Sequence, residues 1–109
     1  MEIISASLAA LAKAEPLEAG KVATRVLSHD AAATIIHVGL GAGGELDDHR
    51  VPGPILLVGL DGTATVTEGE ACAQIEAGGM LRIDEHVIHR LRSDEGANVL
   101  LVRLPKAAG

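Results

Sequence analysis

The stretch from Gly41 to Gly62, GAGGELDDHRVPGPILLVGLDG, decides how this 109-residue chain is read. It opens on a glycine-rich loop, passes a short run holding Asp47 and His49, and reaches Pro52-Gly53-Pro54. Two prolines with fixed φ and no N–H donor force a turn there. Ile55 to Leu60, ILLVGL, is a continuous apolar run that suits a strand buried on both sides. Asp61-Gly62 then carries a hairpin signal, with Thr63 to Thr67 as the returning strand.

A second stretch, GGMLRIDEHVIH from Gly78 to His89, follows the same plan. It leaves a glycine turn, runs through Met80 to Ile83, and ends on His86 and His89. Together the two stretches hold three of the five histidines. They read as two halves of one barrel that bring Asp47, His49, His86 and His89 to a common pocket.

The remaining sequence supports an all-β reading. Ser7 to Glu15 places Leu8, Leu11 and Ala12 at helical spacing, with Ser5 or Ser7 as cap and Pro16 as stop, which predicts one short helix or turn. From Gly20 the period changes to two: Val22, Thr24 and Val26 alternate with Lys21, Ala23 and Arg25. Ser28-His29-Asp30 reads as the turn of a hairpin whose second strand is Ala33 to Leu40. Asp47 to Val51 reads as a short strand, as do Ala71 to Glu76, His86 to Leu91 and Ala97 to Leu104. Eight or nine short strands at intervals of 8–12 residues, separated by Gly, Asp and Pro, describe an antiparallel sandwich or barrel. The organisation expected is an N-terminal helical or extended segment over 1–19, a barrel over 20–104, and a disordered tail over 105–109.

Composition narrows the function. Hydrophobic residues make up 48% of the chain, yet Phe, Tyr and Trp are absent. The core must come from Ile, Leu, Val and Ala, and no aromatic face is available for stacking bases or sugars. A formal charge of −6 with no basic cluster speaks against nucleic acid as a partner. No apolar run approaches the roughly 20 residues of a membrane span, and no signal peptide is evident. Cys72 is the only cysteine, which suits a reducing, cytoplasmic setting and reads as a small core residue.

On these residues the chain resembles the cupin superfamily. Gly41, Asp47, His49, Ile55 and Gly62 follow the spacing of the first cupin motif, with a gap one residue longer than the commonest form. Gly78, Asp84, His86, His89 and Ser93 follow the second. Asp47 stands in place of the first metal-binding histidine, and the usual glutamate falls at Ile55 in this register, or at Gly53 or Pro54 in shorter ones. The His49 to Pro54 block looks like that of a small branch of single-domain bacterial cupins, mostly uncharacterised.

The resemblance implies a double-stranded β-helix, or jelly-roll barrel, with a short N-terminal helix. It also implies a divalent Fe, Mn, Ni or Zn ion, a small-molecule ligand and a homodimer formed through sheet faces or exchange of the N-terminal strand. On a regular strand Asp47 and His49 point to one face, with Ile55 and Leu57 directed into the barrel. His49, His89 and Asp47 would then be three ligands and His86 a fourth, or else a hydrogen-bonded group at the barrel mouth without metal. His86 faces either the pocket or solvent. His37 reads as a satisfied core or interface residue, His29 as a solvated turn residue, Asp84-Glu85 as a solvated loop, and Arg82 as outward-facing. No catalytic residue can be assigned, and the same barrel could serve without turnover as a metabolite-binding or dimerising scaffold.

Overall fold

The computed structural model describes residues 1–13, 17–49 and 51–106; the side chains of 47–49 lie outside that description. Its elements are one helix, α1 (Leu8–Ala12), and nine strands: β1 (Val22–His29), β2 (Thr34–Leu40), β3 (Glu45–His49), β4 (Ile55–Gly62), β5 (Ala64–Glu68), β6 (Ala71–Ile75), β7 (Met80–Ile83), β8 (His89–Arg92) and β9 (Ala97–Arg103). The larger sheet has the order β1-β2-β9-β4-β7 and the smaller β3-β8-β5-β6, with every described pairing antiparallel.

The core lies between the sheets because β4, β5, β8 and β9 alternate buried and outward residues. In β4, Ile55 and Leu57 are each 1% exposed while Leu56 and Val58, which alternate with them, are half-buried. In β9, Ala97, Val99 and Leu101 point inward by the same period. Val38, Leu40, Ala64, Val66, Ile75, Ile83 and Leu91 complete an aliphatic core. At about 25 cal/mol per Å² of apolar surface removed from water, such burial is the main force closing the two layers.

The short helix is capped by Ser7, whose Oγ accepts the Ala10 N–H at 3.2 Å. None of its residues is buried, and Glu15 and Pro16 of the expected helix fall outside the described residues. Residues 107–109 of the expected tail do so as well.

Three local readings need correction. Ser28 and His29 belong to β1 rather than to the turn, which lies over 30–33. There Asp30 Oδ1 accepts the N–H groups of Ala32 and Ala33 at 2.7 and 3.1 Å, so the carboxylate itself forms the turn. These bonds from Ala33 and Ala32 hold the Asp30 carboxyl below its ordinary value of 3.8.

Asp61-Gly62 is not a hairpin. Both residues stay in β4, opposite Asn98 and Ala97 of β9, and the chain then crosses to the other sheet to begin β5. Gly62 makes the crossing with φ +72°, a conformation that a side chain disfavours.

Cys72 is exposed, not a core residue. It lies on β6, an edge strand whose residues 71–74 all face solvent.

The β6–β7 connection is a second crossing between sheets. It packs on Gly59, where any Cβ would overlap the Glu76 carbonyl oxygen, and backbone bonds join Gly59 to Gly79 and Gly78 at 2.8 and 2.9 Å. No helix among the described residues is long and apolar enough to cross a membrane.

Candidate functional site

The site residues approach one another through the β3–β8 pairing of the smaller sheet. Leu46 stands opposite Leu91, and His49 opposite His89. Three steps along β3 match two along β8, so one extra residue is accommodated at Asp47-Asp48. The regular ladder between Leu46 and His49 is interrupted there. The backbones of His49 and His89 are direct cross-strand partners, about 5 Å apart in such a ladder. The side chains of Asp47 and His49 lie outside the described residues.

His89 is 3% exposed and continues the inward row of Leu91. Its Nδ1 lies 3.1 Å from the Val87 carbonyl oxygen. A carbonyl only accepts, so Nδ1 carries a hydrogen, and a metal would be bound by Nε2 of the neutral ring. Histidine ligands are commonly oriented in this manner by a backbone carbonyl on the nitrogen away from the metal.

His86 is exposed. Among the described residues it is the only non-glycine with positive φ, at 63°, and its N–H donates to the Val51 carbonyl at 3.0 Å. Histidine is among the side chains that tolerate this region, so its position is explained by the turn before β8. Ile55 and Leu57 line the interior as apolar walls and offer no ligand atom. Among the described residues no group of three or more His, Cys, Asp or Glu could hold a metal ion. The donor set therefore fits a metal only if Asp47 and His49 complete it around His89.

Three features were not read from the sequence. Glu85 was read as part of a solvated loop, but its Oε2 is the one buried side-chain N or O atom among the described residues without a hydrogen-bond partner. Ser93, at the last position of the second motif, is 1% exposed. Its Oγ donates to the Thr63 carbonyl at 2.7 Å and accepts the Gly96 N–H at 3.0 Å, while its backbone bonds to Gly43 and Gly44. It thus ties the inter-sheet crossing, the turn before β9 and the glycine-rich loop together. His37 is buried and hydrogen-bonded, as its reading as a satisfied core or interface residue expects; what was missed is its partner, Asn98 Oδ1 at 3.0 Å from Nε2 and 61 residues away.

No protein-family model matches the chain, and neither does any curated protein. Solved structures do. A cupin superfamily protein from Desulfitobacterium hafniense superposes with a TM-score of 0.80 at 20% identity, over 91% of this chain and 88% of that one. A conserved Streptococcus pyogenes protein of unknown function gives 0.75 at 24% identity, over 84% and 80%. An RmlC-like cupin with a double-stranded β-helix fold from Methanocaldococcus jannaschii gives 0.71 at 18%, over 80% and 83%. With two facing antiparallel sheets joined by glycine crossings and these structures as its likenesses, the chain has the cupin fold.

Proposed function

We propose that this protein is a small-molecule-binding barrel whose β3–β8 mouth holds a divalent metal through His49, His89 and Asp47, with Ile55 and Leu57 as an apolar wall. The single observation that supports this most is the direct cross-strand pairing of His49 and His89, the latter buried with its Nδ1 held by the Val87 carbonyl. Two imidazoles and a carboxylate suit Fe, Mn, Ni or Zn and leave coordination positions open for a ligand oxygen. Bound there, the metal would polarise that oxygen.

A second reading is a metal-free scaffold that binds a metabolite or a second copy. It is favoured by Ile55 standing where a carboxylate ligand would be expected, and by the half-buried apolar residues Leu56, Val58, Leu100 and Val102 on the outer face of the larger sheet. On this outer face we place a homodimer contact, and on the single cysteine a reducing, cytoplasmic compartment.

The test is thermal unfolding of tag-free, metal-stripped protein with added Mn²⁺, Ni²⁺ or Zn²⁺. An ion at about 100 times its Kd adds roughly 2.7 kcal/mol to the folded state, a midpoint rise on the order of 10 °C. His89→Ala should abolish the rise. If no ion moves the midpoint of the parent protein, the scaffold reading stands.

A further inference from the structure

On the outer face of the larger sheet, away from the β3–β8 mouth, lies a recess of about 190 Å³ lined by Leu17, Ala23, Arg25, His37, Gly39 and Asn98. The β1–β2 ladder sets Arg25 opposite His37 and Ala23 opposite Gly39, and β9 sets Asn98 against Gly39. Two small residues side by side therefore leave a hollow between the larger ones. Leu17 roofs it, with Cδ1 3.4 Å from the place a Gly39 Cβ would occupy.

The polar groups around this hollow are fixed in kind. An amide oxygen only accepts, so the contact between His37 Nε2 and Asn98 Oδ1 puts the ring hydrogen on Nε2. That contact also orients Asn98 and leaves both amide hydrogens of its Nδ2 uncommitted among the described residues. Nor is Nδ2 a sealed orphan, since Glu85 Oε2 alone has that character. The amide nitrogen therefore opens onto accessible space. Arg25 makes no ion pair or side-chain hydrogen bond among the described residues, unlike Arg82, Arg90 and Arg92. In a chain of net charge −6, the Arg25 guanidinium and the Asn98 amide are thus two donors open to an added acceptor, beside the buried His37 ring whose Nδ1 keeps the lone pair. Carboxylates are the group that planar guanidinium donors match best. The acidic side chains nearby, Asp61 and Glu95, line an adjoining recess that shares Leu17, Gly39 and Asn98 with this one, and Asp61 stands opposite Asn98 in the β4–β9 ladder.

We propose that the Arg25–His37–Asn98 recess binds a small monocarboxylate, its oxygens taken by Arg25 and Asn98 and its hydrocarbon part held between Ala23, Gly39 and Leu17. At about 30 Å³ per water-sized group, the volume holds roughly six heavy atoms, the size of a four-carbon acid.

The test is a titration of ¹⁵N-labelled full-length protein with sodium butyrate, and with butyramide as an uncharged molecule of the same size. Expected are saturable shifts of the Asn98 side-chain amide and Arg25 Nε signals with a Kd of about 1–10 mM for butyrate. Butyramide should bind at least about tenfold more weakly, as should butyrate to Arg25→Gln, because a charge-assisted bond is lost. Arg92→Gln, on the other sheet, should bind butyrate as the parent does. Equal shifts from the two ligands, or an unchanged Kd in Arg25→Gln, would overturn the proposal. So would recess signals that respond to protein concentration and not to butyrate, because a second copy would then fill the hollow. The recess and the metal site share no residue, so either can fail without the other.

Discussion

Replacing Ser93 by alanine removes one oxygen and strands two backbone groups. The Thr63 carbonyl loses its donor at 2.7 Å and the Gly96 N–H loses its acceptor at 3.0 Å. A buried group left unsatisfied costs about 1–3 kcal/mol. Thr63 is exposed and Gly96 half-buried, so water can recover part of the loss and each term falls at the low end. The expected destabilisation is about 2–3 kcal/mol, a large share of the roughly 5–15 kcal/mol that holds a domain of this size. The midpoint of thermal unfolding should fall by about 10–15 °C.

Urea unfolding followed by far-ultraviolet circular dichroism measures the change directly, and an unaltered m-value would show that the unfolded state is not its source. Ser28→Ala is the matched control. Its hydroxyl is exposed and reaches Glu2 only at 3.5 Å, so the change should stay within about 0.5 kcal/mol. A Ser93→Ala loss no larger than the control's would refute the view that this hydroxyl joins the crossing to the turn.

Ile55→Glu tests the register of the first motif. A carboxylate at a position 1% exposed should destabilise the metal-free protein by about 3 kcal/mol or more, and added Mn²⁺ or Zn²⁺ should restore stability and bind more tightly by calorimetry than to the parent. Destabilisation without metal rescue would place residue 55 away from the ion. Asp30 has a folded pKa held down by its turn bonds, so the stability it contributes is present above its unfolded value and is lost as pH falls through the lower folded one. Asp30→Asn should therefore flatten part of the stability curve below about pH 4, and identical curves for parent and variant would show that the turn is not charge-linked. Cys72, exposed on its edge strand, should react with a thiol reagent in native buffer at nearly the rate of an unfolded chain; strong protection in a monomeric sample would contradict its placement.

Much of this architecture was legible because short aliphatic strands and Gly or Asp turns alternate along the chain. ILLVGL became β4 with Ile55 and Leu57 inside, as its composition predicts. What failed was information that local sequence does not carry. Asp-Gly marks a turn, but whether the next strand pairs with the last or crosses to another sheet depends on β9 already occupying β4's flank. Cys72 is apolar enough for a core, yet its strand lies at an edge. The register shift between Leu46 and His49 carries no local signal either, since nothing in DDH tells a bulged backbone from a regular strand. The His37–Asn98 pair joins β2 to β9, and only the completed sheet brings the two together.

The position of β9 also bears on how the chain is made. It is the last strand in sequence, yet it sits in the middle of the larger sheet, and β2 and β4 are joined only through it. While a ribosome is still adding residues before Ala97, the β1–β2 hairpin and the β4–β7 pair have no shared neighbour, and each presents an open strand edge with unpaired N–H and C=O groups. The sheet closes when the seven residues of β9 emerge and are inserted between them. A chain stalled a few residues short of Arg103 would thus be an incomplete sheet with two sticky flanks, a substrate for chaperones and proteases rather than a slightly weakened barrel.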